Sequence, residues 1–492
     1  MNKKVIVIWA GPWWLSAAMI LSSKWYDVVV LEKSNVPWGR NSQICSENWF
    51  KFDVWPTFLM MKHILEETFE DAWKKVSDYL EFIRLDPMYS LYLNSKKIDI
   101  YEEDKKMKEE ITKIFPWNED WFDRFTLKEK ARFSKLYRCL TKPYLKISDF
   151  LHRYFLEALP FFSLQNSMYD ELWKYFNNDD LKICFTFQSK YLGMSPWDCP
   201  AAFMMIPYVE HAFWIYHVKW WLSQISTAMT KVCQEFWAKI RYWSEVKQVL
   251  IEDKAAKWVL LSDWEIMNAD HIIMNSDFAY SMMNLFWDKW DKKYSKNRIE
   301  KKKYSCSTFM LYLWLDKIYD SIWHHSIFFS NDYKKYINSV FSDNNLSDDI
   351  SIYIRNASIN DETLAPSWKS SLYILVPVQN LKLKQEWLND KKPFRDLIIN
   401  KLKTIPWFAD IEEHIEFEKI ITPNEWSSDF NVWFGATFNL AHTLDQMLYF
   451  RPHNRLEWYE NLYLVWWWTH PGSGLPTIYE SARIASRLIL EQ

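Results

Sequence analysis

Glycine is nearly missing from this chain, which has 6 glycines and 32 tryptophans in 492 residues. Glycine normally makes up about 7% of a protein, so roughly 34 would be expected at this length. Taken literally, the shortage removes the residue that turns with φ > 0 usually require. The two residues together account for about 7.7% of the chain, which is a normal total for glycine plus tryptophan.

The chain also has few cysteines, no long apolar run and no excess of basic residues. The 6 cysteines show no C-x-x-C spacing, which indicates reduced cytosolic thiols rather than a disulfide framework or a metal site. No uninterrupted apolar run reaches about 18 residues, so no transmembrane helix is expected. The first residues do not have the pattern of a signal peptide. A net charge of −3 excludes an obvious nucleic-acid-binding surface.

Several tryptophans stand where a turn needs glycine. Trp25 lies between a predicted helix and a predicted strand, at a position that needs φ > 0. Trp264 follows an aspartate, as glycine does in a common hairpin turn. Some bacterial lineages read the UGA codon as glycine, whereas a common translation table reads it as tryptophan. We hypothesise that most tryptophans here are such codons, with Trp197 and Trp426 as genuine exceptions. Deliberate engineering and a truly tryptophan-rich protein are the alternatives.

The first 40 residues follow the order of a dinucleotide-binding βαβ unit. A strand (Val5–Ile8) leads through a tight turn into a helix (Leu15–Leu21), and a second strand (Val28–Leu31) ends at Glu32. The turn carries Trp9, Gly11, Trp13 and Trp14. With glycine in place of tryptophan it becomes G-A-G-P-G-G, which lets backbone approach a pyrophosphate, while the acid binds ribose hydroxyls. The alternative is a βαβ turn that binds nothing.

Three further motifs accompany this unit. Val36–Arg40 becomes V-P-G-G-R and predicts a loop along the flavin of FAD, rather than an NAD site, unless Arg40 belongs to a surface pair. Asn48–Thr57 predicts a strand that ends in a turn against a flat ring. Leu464–Pro476 becomes a glycine-rich turn before a helix, whose N-terminus can stabilise negative charge on a reduced flavin. We expect His470 in this turn to be structural rather than an acid or base.

These motifs, in this order, resemble those of the bacterial carotenoid desaturase family (phytoene and dehydrosqualene desaturases). The resemblance also covers Leu192–Pro196, Trp220-Trp221, Ser307–Leu313, Asp445-Gln446 and Phe450–Pro452. It spans nearly the whole chain, and Thr469–Pro476 is its most specific part. The chain departs from the family at its tryptophans, which as written would block the cofactor site, and at Thr477, where the family usually has a small residue.

The resemblance implies non-covalently bound FAD, a linear polyisoprenoid or carotenoid substrate that gives hydride to the flavin, a membrane surface as partner, and oxygen or a quinone as electron acceptor. It places the following residues at the cofactor: Trp9, Gly11, Trp13, Trp14, Glu32, Lys33, Gly39, Arg40, Pro56, Thr57, Val246, Gly472, Gly474 and Pro476. No residue stands out as a proton acceptor, and neither a metal nor a nucleic acid is expected. The expected location is the cytoplasm, peripherally at the membrane.

The expected fold class is α/β, with an FAD-binding Rossmann-like domain of the glutathione-reductase type, a mixed α+β substrate domain and a helical membrane-facing part. Residues 1–65, 218–300 and 430–492 should form the FAD-binding domain, and residues 66–217 and 301–429 the substrate-binding, membrane-associating region. Residues 62–215 are predicted to be helical, and their aromatic side chains either line a tunnel or are ordinary core. The rival functions are a related carotenoid oxidase or isomerase, a non-catalytic prenyl-lipid binder, and an amine oxidase, for which no aromatic cage is evident.

Overall fold

The computed structural model describes residues 2–37, 39–45, 51–286, 292–342, 345–384, 387 and 390–492, without the side chains of Trp13, Glu119 and Lys292. The strands are β1 Lys4–Ile8, β2 Asp27–Leu31, β3 Gln43–Cys45, β4 Lys51–Asp53, β5 Leu59–Met60, β6 Phe82–Arg84, β7 Tyr89–Leu93, β8 Lys96–Ile100, β9 Ile215–Val218, β10 Lys239–Arg241, β11 Val246–Glu252, β12 Ala255–Leu261, β13 Ile266–Asn268, β14 His271–Met274, β15 Ser307–Leu315, β16 His325–Phe328, β17 Ile352–Arg355, β18 Ser370–Val378, β19 Ile415–Ile421 and β20 Leu462–Leu464. The helices are α1 Pro12–Ser23, α2 Lys62–Glu70, α3 Asp104–Ile114, α4 Glu119–Leu140, α5 Arg153–Ala158, α6 Met168–Leu172, α7 Asp179–Cys184, α8 Met205–Phe213, α9 Ser223–Glu235, α10 Phe278–Asn284, α11 Lys296–Lys301, α12 Tyr333–Val340, α13 Lys391–Lys403, α14 Pro423–Ser428 and α15 Leu475–Leu490.

A five-stranded sheet in the order β10-β2-β1-β14-β20 organises one half of the molecule. All of its neighbouring strands run parallel. The apolar residues Val5–Ile8 of its central strand are fully buried, as expected for a parallel sheet that is covered on both faces. Helix α1 packs against both α9 and α15. This arrangement is the Rossmann-like half that the first βαβ unit predicts.

The second large sheet has seven strands in the order β19-β15-β18-β17-β16-β7-β8. Its long strands β15 and β18 pair antiparallel over nine residues each, and every residue of β15 is buried. The strands of this sheet all come from residues 66–217 and 301–429, whereas those of the five-stranded sheet come from residues 1–65, 218–300 and 430–492. The domain boundaries themselves stay a prediction.

The prediction of helix over residues 62–215 is wrong for residues 82–100, which contain β6, β7 and β8, and at residue 215, where β9 begins. Strands β7 and β8 form a hairpin, whose turn residues Asn94 and Ser95 both have φ > 0, as a two-residue hairpin turn requires. Strand β7 is also paired in parallel with β16, which lies far away in sequence. The pairing with this distant strand makes residues 89–93 a strand, and such a pairing cannot be predicted from the local charge and aromatic content.

Tryptophan dominates the unusual backbone conformations. Twelve of the 22 described non-glycine residues with positive φ are tryptophans. They are Trp9, Trp25, Trp73, Trp117, Trp214, Trp220, Trp221, Trp237, Trp243, Trp264, Trp368 and Trp458. The left-handed conformation costs an L-residue with a bulky side chain roughly 1–2 kcal/mol, because its Cβ crowds the backbone carbonyl. Tryptophan, the bulkiest residue, therefore occupies left-handed positions that glycine adopts most easily.

In the chain as written, Trp25→Gly and Trp237→Gly should each raise the free energy of unfolding by about 1 kcal/mol, because glycine relieves the left-handed strain. Both residues have positive φ, at 69° and 65°, and their side chains are 72% and 85% exposed, so little packing is lost. Urea unfolding measures the change. Trp173→Gly is the matched control: Trp173 is also exposed, but its φ is −59°, so its replacement should not stabilise. Destabilisation by both turn substitutions would contradict the prediction.

Candidate active site

The turn between β1 and α1 is held by backbone hydrogen bonds. The N–H of Trp9 donates to the carbonyl of Leu31 at 2.6 Å, and the N–H of Ala10 donates to Glu32 Oε2 at 2.6 Å. Gly11 is the N-cap of α1, and no side chain caps the helix there. Uncapped N–H groups at a helix N-terminus form an anion-binding site. The turn thus presents the backbone that a pyrophosphate needs.

Glu32 lies immediately after β2, beside this turn. Its carboxylate accepts hydrogen bonds from the N–H of Ala10 and, through Oε1, from the N–H and hydroxyl of Ser34, both at 2.9 Å. The neighbouring Lys33 has its ammonium 5.8 Å from the centre of the Trp9 ring. The strand end and these contacts fix the acid beside the turn, where its carboxylate could accept hydrogen bonds from ribose hydroxyls.

A crevice of about 850 Å³ opens in front of the turn. Its lining residues are Trp9, Ala10, Gly11, Trp14, Glu32, Lys33, Ser34, Val36, Gly39, Arg40, Ser42, Asn275, Asp277, Asp429, Phe430, Asn431 and Trp466. Seven of the residues that the sequence predicts at the cofactor are therefore brought together. Sequence reasoning missed Asn275, Asp277 and residues 429–431, which follow β14 or belong to a distant loop and carry no local motif.

Arg40 is buried at the back of the crevice, with 3% of its surface exposed. Its guanidinium donates to the carbonyl of Thr437 at 2.8 Å and lies 4.5 and 4.4 Å from the ring centres of Trp466 and Trp467. Burial lowers the pKa of Arg40 to about 9, with Asp277 opposing the shift. The alternative that Arg40 belongs to a surface pair is therefore wrong.

Two adjoining apolar cavities lie on the other side of this region, and we call them together the apolar channel. The first, of about 980 Å³, is lined by Trp55, Pro56, Thr57, Phe58, Met60, Phe187, Lys190, Tyr191, Cys306, Thr308, Ile327, Tyr353, Tyr373, Leu375, Pro377, Phe438, Trp467, Gly474, Leu475 and Pro476. The second, of about 860 Å³, shares Met60, Tyr191, Gly474 and Pro476 with the first. Four of the predicted residues, Pro56, Thr57, Gly474 and Pro476, thus lie on the channel.

The C-terminal glycine-rich turn ends at the junction of these two cavities. Gly474 is the N-cap of α15, with φ at 117°. A Cβ atom at Gly472 would lie 2.4 Å from Nε2 of His442, and the same nitrogen accepts a hydrogen bond from the N–H of Ser473 at 3.0 Å. The close packing of His442 excludes any side chain at residue 472. It fixes the turn against the wall of the channel.

His470 and Val246 lie outside the lining of the crevice and of the channel. His470 is buried, its ring centre is 5.1 Å from that of Tyr144, and burial lowers its pKa to about 3; these features support a structural role. Val246 is buried in β11, although the N–H of nearby Ser244 donates to the carbonyl of Glu32 at 2.8 Å. The side chain of Trp13, and residues 38 and 46–50 of the predicted motifs, lie outside the described residues.

Within the described ranges, no group of three or more His, Cys, Asp and Glu side chains is placed to hold a metal ion. A search of the same residues finds no helix with the length and apolarity needed to cross a membrane.

A family model described as flavin-containing amine oxidoreductase matches residues 15–490. A 4,4'-diapophytoene desaturase (4,4'-diapolycopene-forming) from a Methylomonas species is 44% identical over 491 residues, covering 100% of this chain and 96% of the relative. The chain belongs to the flavin-containing amine oxidoreductases, as a bacterial carotenoid desaturase. An all-trans-zeta-carotene desaturase from Myxococcus xanthus is 30% identical over 498 residues, covering 98% of this chain and 92% of the relative.

Solved structures share the fold of this desaturase. An oxidoreductase from Methanosarcina mazei superposes with a TM-score of 0.65 at 15% identity, covering 99% of this chain and 100% of the other. A variant of putrescine oxidase superposes with a TM-score of 0.63 at 10% identity over the whole of both chains. At these identities the likeness concerns the fold alone. It confirms the Rossmann-like α/β class that the sequence predicts.

FAD is the cofactor of this family, and the backbone of the desaturase fits it better than the side chains do. The uncapped N–H groups of the turn and the carboxylate of Glu32 could hold a dinucleotide. However, Trp14 is buried in the crevice, with its ring centre 6.4 Å from that of Trp466. Trp466 lines the crevice and its neighbour Trp467 lines the channel, so these two indoles stand at the boundary between crevice and channel, which we call the passage. With these side chains the passage does not accommodate a flavin.

Replacing Asp277 by asparagine should remove a pH-dependent loss of stability. Burial raises the pKa of Asp277 to about 6 from an ordinary value of 3.8. The folded state thus holds a proton that the unfolded state releases at lower pH, so this stabilisation is complete below about pH 4 and is lost as pH rises through about 6, by about 2–3 kcal/mol. Asparagine keeps the cap on the Tyr280 N–H, which Asp277 makes at 3.0 Å.

Urea unfolding at pH 4.5 and pH 7.5 tests this expectation. Asp277→Asn should gain stability relative to the wild type as pH rises between these values. A difference between the two proteins that stays constant with pH would show that Asp277 does not carry the effect.

Proposed function

We propose that this protein is an FAD-dependent desaturase that introduces double bonds into a linear polyisoprenoid in carotenoid biosynthesis. The observation that carries the proposal is the apolar channel, whose two cavities meet at Gly474 and Pro476, next to the passage from the crevice. The flavin supplies the hydride acceptor when bound. The protein's own residues hold the hydrocarbon and exclude water.

The wall of the channel is mostly apolar and aromatic, and some of its polar groups pair with one another. The hydroxyl of Tyr353 donates to Thr57 Oγ1 at 2.8 Å, and its oxygen lies 2.8 Å from Nδ1 of His325. Phe58 stacks on that imidazole with ring centres 4.1 Å apart. Paired polar groups do not compete for water inside the channel. The two cavities favour a substrate channel over an ordinary core, because the aromatic residues line open space.

We also propose a substrate of the 4,4'-diapophytoene class rather than the zeta-carotene class. The support is the higher identity to the Methylomonas relative, at 44%, than to the Myxococcus relative, at 30%. Oxygen or a quinone would reoxidise the flavin.

A membrane surface is the proposed source of the substrate. An exposed apolar patch, formed by Ile147, Leu151, Leu164 and Phe450, has between 50% and 74% of each side chain in solvent. Helix α5, which directly follows Ile147 and Leu151 in the chain, packs on α4, and α4 contributes Phe133, Tyr137 and Leu140 to the second cavity of the channel. The exposed Lys142 and Lys146 flank the patch. Apolar side chains with basic neighbours favour binding to an anionic bilayer surface, and here they would place the channel against the lipid.

Purified protein loaded with FAD and mixed with 4,4'-diapophytoene in lipid vesicles should form conjugated polyenes and bleach the flavin absorbance under anaerobic conditions. Product spectra and chromatography measure the outcome. Oxygenated products with a strict need for oxygen would indicate the rival carotenoid oxidase, and isomers without new double bonds an isomerase. Substrate binding without bleaching would indicate a prenyl-lipid binder.

Ile147→Ser and Leu151→Ser together should weaken binding to anionic vesicles by about 10-fold, because two apolar anchors are lost. Vesicle sedimentation measures the change, and activity on a detergent-solubilised substrate should stay unchanged. Ile266→Ser is the matched control: Ile266 is also exposed, but it lies on β13, in the three-stranded sheet formed by β11, β12 and β13. An equal loss with the control would show that the patch is not the contact surface.

A further inference from the structure

The structure divides the tryptophans into two sets. We infer that those at left-handed turns and in the cofactor passage, among them Trp25, Trp237, Trp264, Trp466 and Trp467, are glycine in the functioning protein, whereas Trp426 is a genuine tryptophan. The assignment concerns the residue inserted at each codon, so it does not depend on the proposed activity.

Three helices end in the same glycine-type cap. After α1, the N–H of Tyr26 donates to the carbonyl of Leu21, and the N–H of Trp25 donates to that of Ser22. Trp237 after α9 and Trp73 after α2 take the equivalent place, with the same two spacings of hydrogen bonds. This pattern is the Schellman motif, whose left-handed residue is usually glycine. Three tryptophans at the same left-handed position of the same motif indicate that tryptophan systematically stands in place of glycine in this sequence.

The hairpin between β12 and β13 also has a tryptophan where glycine is usual, in a different kind of turn. The N–H of Leu261 donates to the carbonyl of Glu265 at 2.9 Å, and the N–H of Trp264 donates to the carbonyl of Leu261 at 3.1 Å. Trp264 has φ at 72°, the place where a three-residue hairpin loop carries glycine. Its side chain is 69% exposed, so its packing does not offset the unfavourable backbone.

The passage between crevice and channel gives a second, independent reason. Trp14 and Trp466 line the crevice and Trp467 lines the channel, so their indoles take up space where the two cavities approach each other. The indole N–H groups of Trp9 and Trp14 are buried without a hydrogen-bond partner, although buried tryptophans usually have one. Glycine at these positions removes both the obstruction and the unsatisfied donors.

Trp426 has the opposite properties. It is fully buried in the short helix α14, and its indole N–H donates to Thr308 Oγ1 at 3.0 Å and to the carbonyl of the same residue at 3.2 Å. Its ring packs on Phe430 with centres 4.9 Å apart. These contacts, in a helix with ordinary backbone angles, fit a genuine tryptophan at residue 426. Decoding of UGA as glycine, beside ordinary tryptophan codons, produces these two sets.

Peptide sequencing by tandem mass spectrometry of the protein purified from its native cells tests the assignment. The tryptic peptides 25–33 and 232–239 should contain glycine at residues 25 and 237, and the peptide spanning residue 426 should contain tryptophan there. Tryptophan at both turn positions would overturn the inference, and so would glycine at residue 426. Neither result depends on activity, so an inactive chain with glycine at the turns would overturn the desaturase proposal alone.

A recombinant comparison tests the passage separately. The chain with glycine at the twelve left-handed tryptophans and at residues 14, 466 and 467 should retain about one flavin per chain after purification, measured by absorbance. The matched chain has the same twelve glycines at the left-handed positions but keeps tryptophan at residues 14, 466 and 467. It should retain less than a tenth as much flavin. Equal flavin content in the two chains would overturn the assignment for the passage.

Discussion

The structure depends on one constraint: the backbone of the turn after β1 must be able to contact a ligand in the crevice directly, without side chains in between. The central strand β1 ends in a turn that must face a crevice, and that turn is shaped by hydrogen bonds from Trp9 to Leu31 and from Ala10 to Glu32. These bonds involve backbone atoms and one acid, so the turn keeps its form whichever side chains it carries. Side-chain volume decides only whether a ligand can use it.

Local patterns in the sequence predict the elements that position the crevice. The apolar run Val5–Ile8 becomes the buried centre of the parallel sheet, and the predicted C-terminal helix coincides with α15. Such elements are set by hydrophobic periodicity and caps within a few residues. The motif residues from Trp9 to Arg40 meet in the crevice for the same reason, because strand, turn and helix follow each other directly.

Other parts of the site could not be predicted because distant segments form them. Asn275 and Asp277 enter the crevice because β14 pairs beside β1, and nothing in their local sequence marks a ligand site. The hairpin of β7 and β8 lies in a region with helical composition and becomes a strand pair through its partner β16. Pairing between strands more than 200 residues apart overrides local preference.

The apolar channel, the surface turns and the passage are affected differently by tryptophan in place of glycine. The apolar channel is lined mainly by other side chains, such as Phe58 and Leu375, and it stays open although Trp55 and Trp467 lie in its wall. At nine of the twelve left-handed positions the indole extends into solvent and costs conformational energy. Nine such positions at roughly 1–2 kcal/mol each are comparable with the whole stability of a domain, about 5–15 kcal/mol. In the passage the indoles of Trp466 and Trp467 occupy the space itself. There the written sequence conflicts with the family's chemistry. The exposed left-handed turns, such as those at Trp25 and Trp237, lie outside the crevice and the channel, and they indicate independently which residue belongs at these positions.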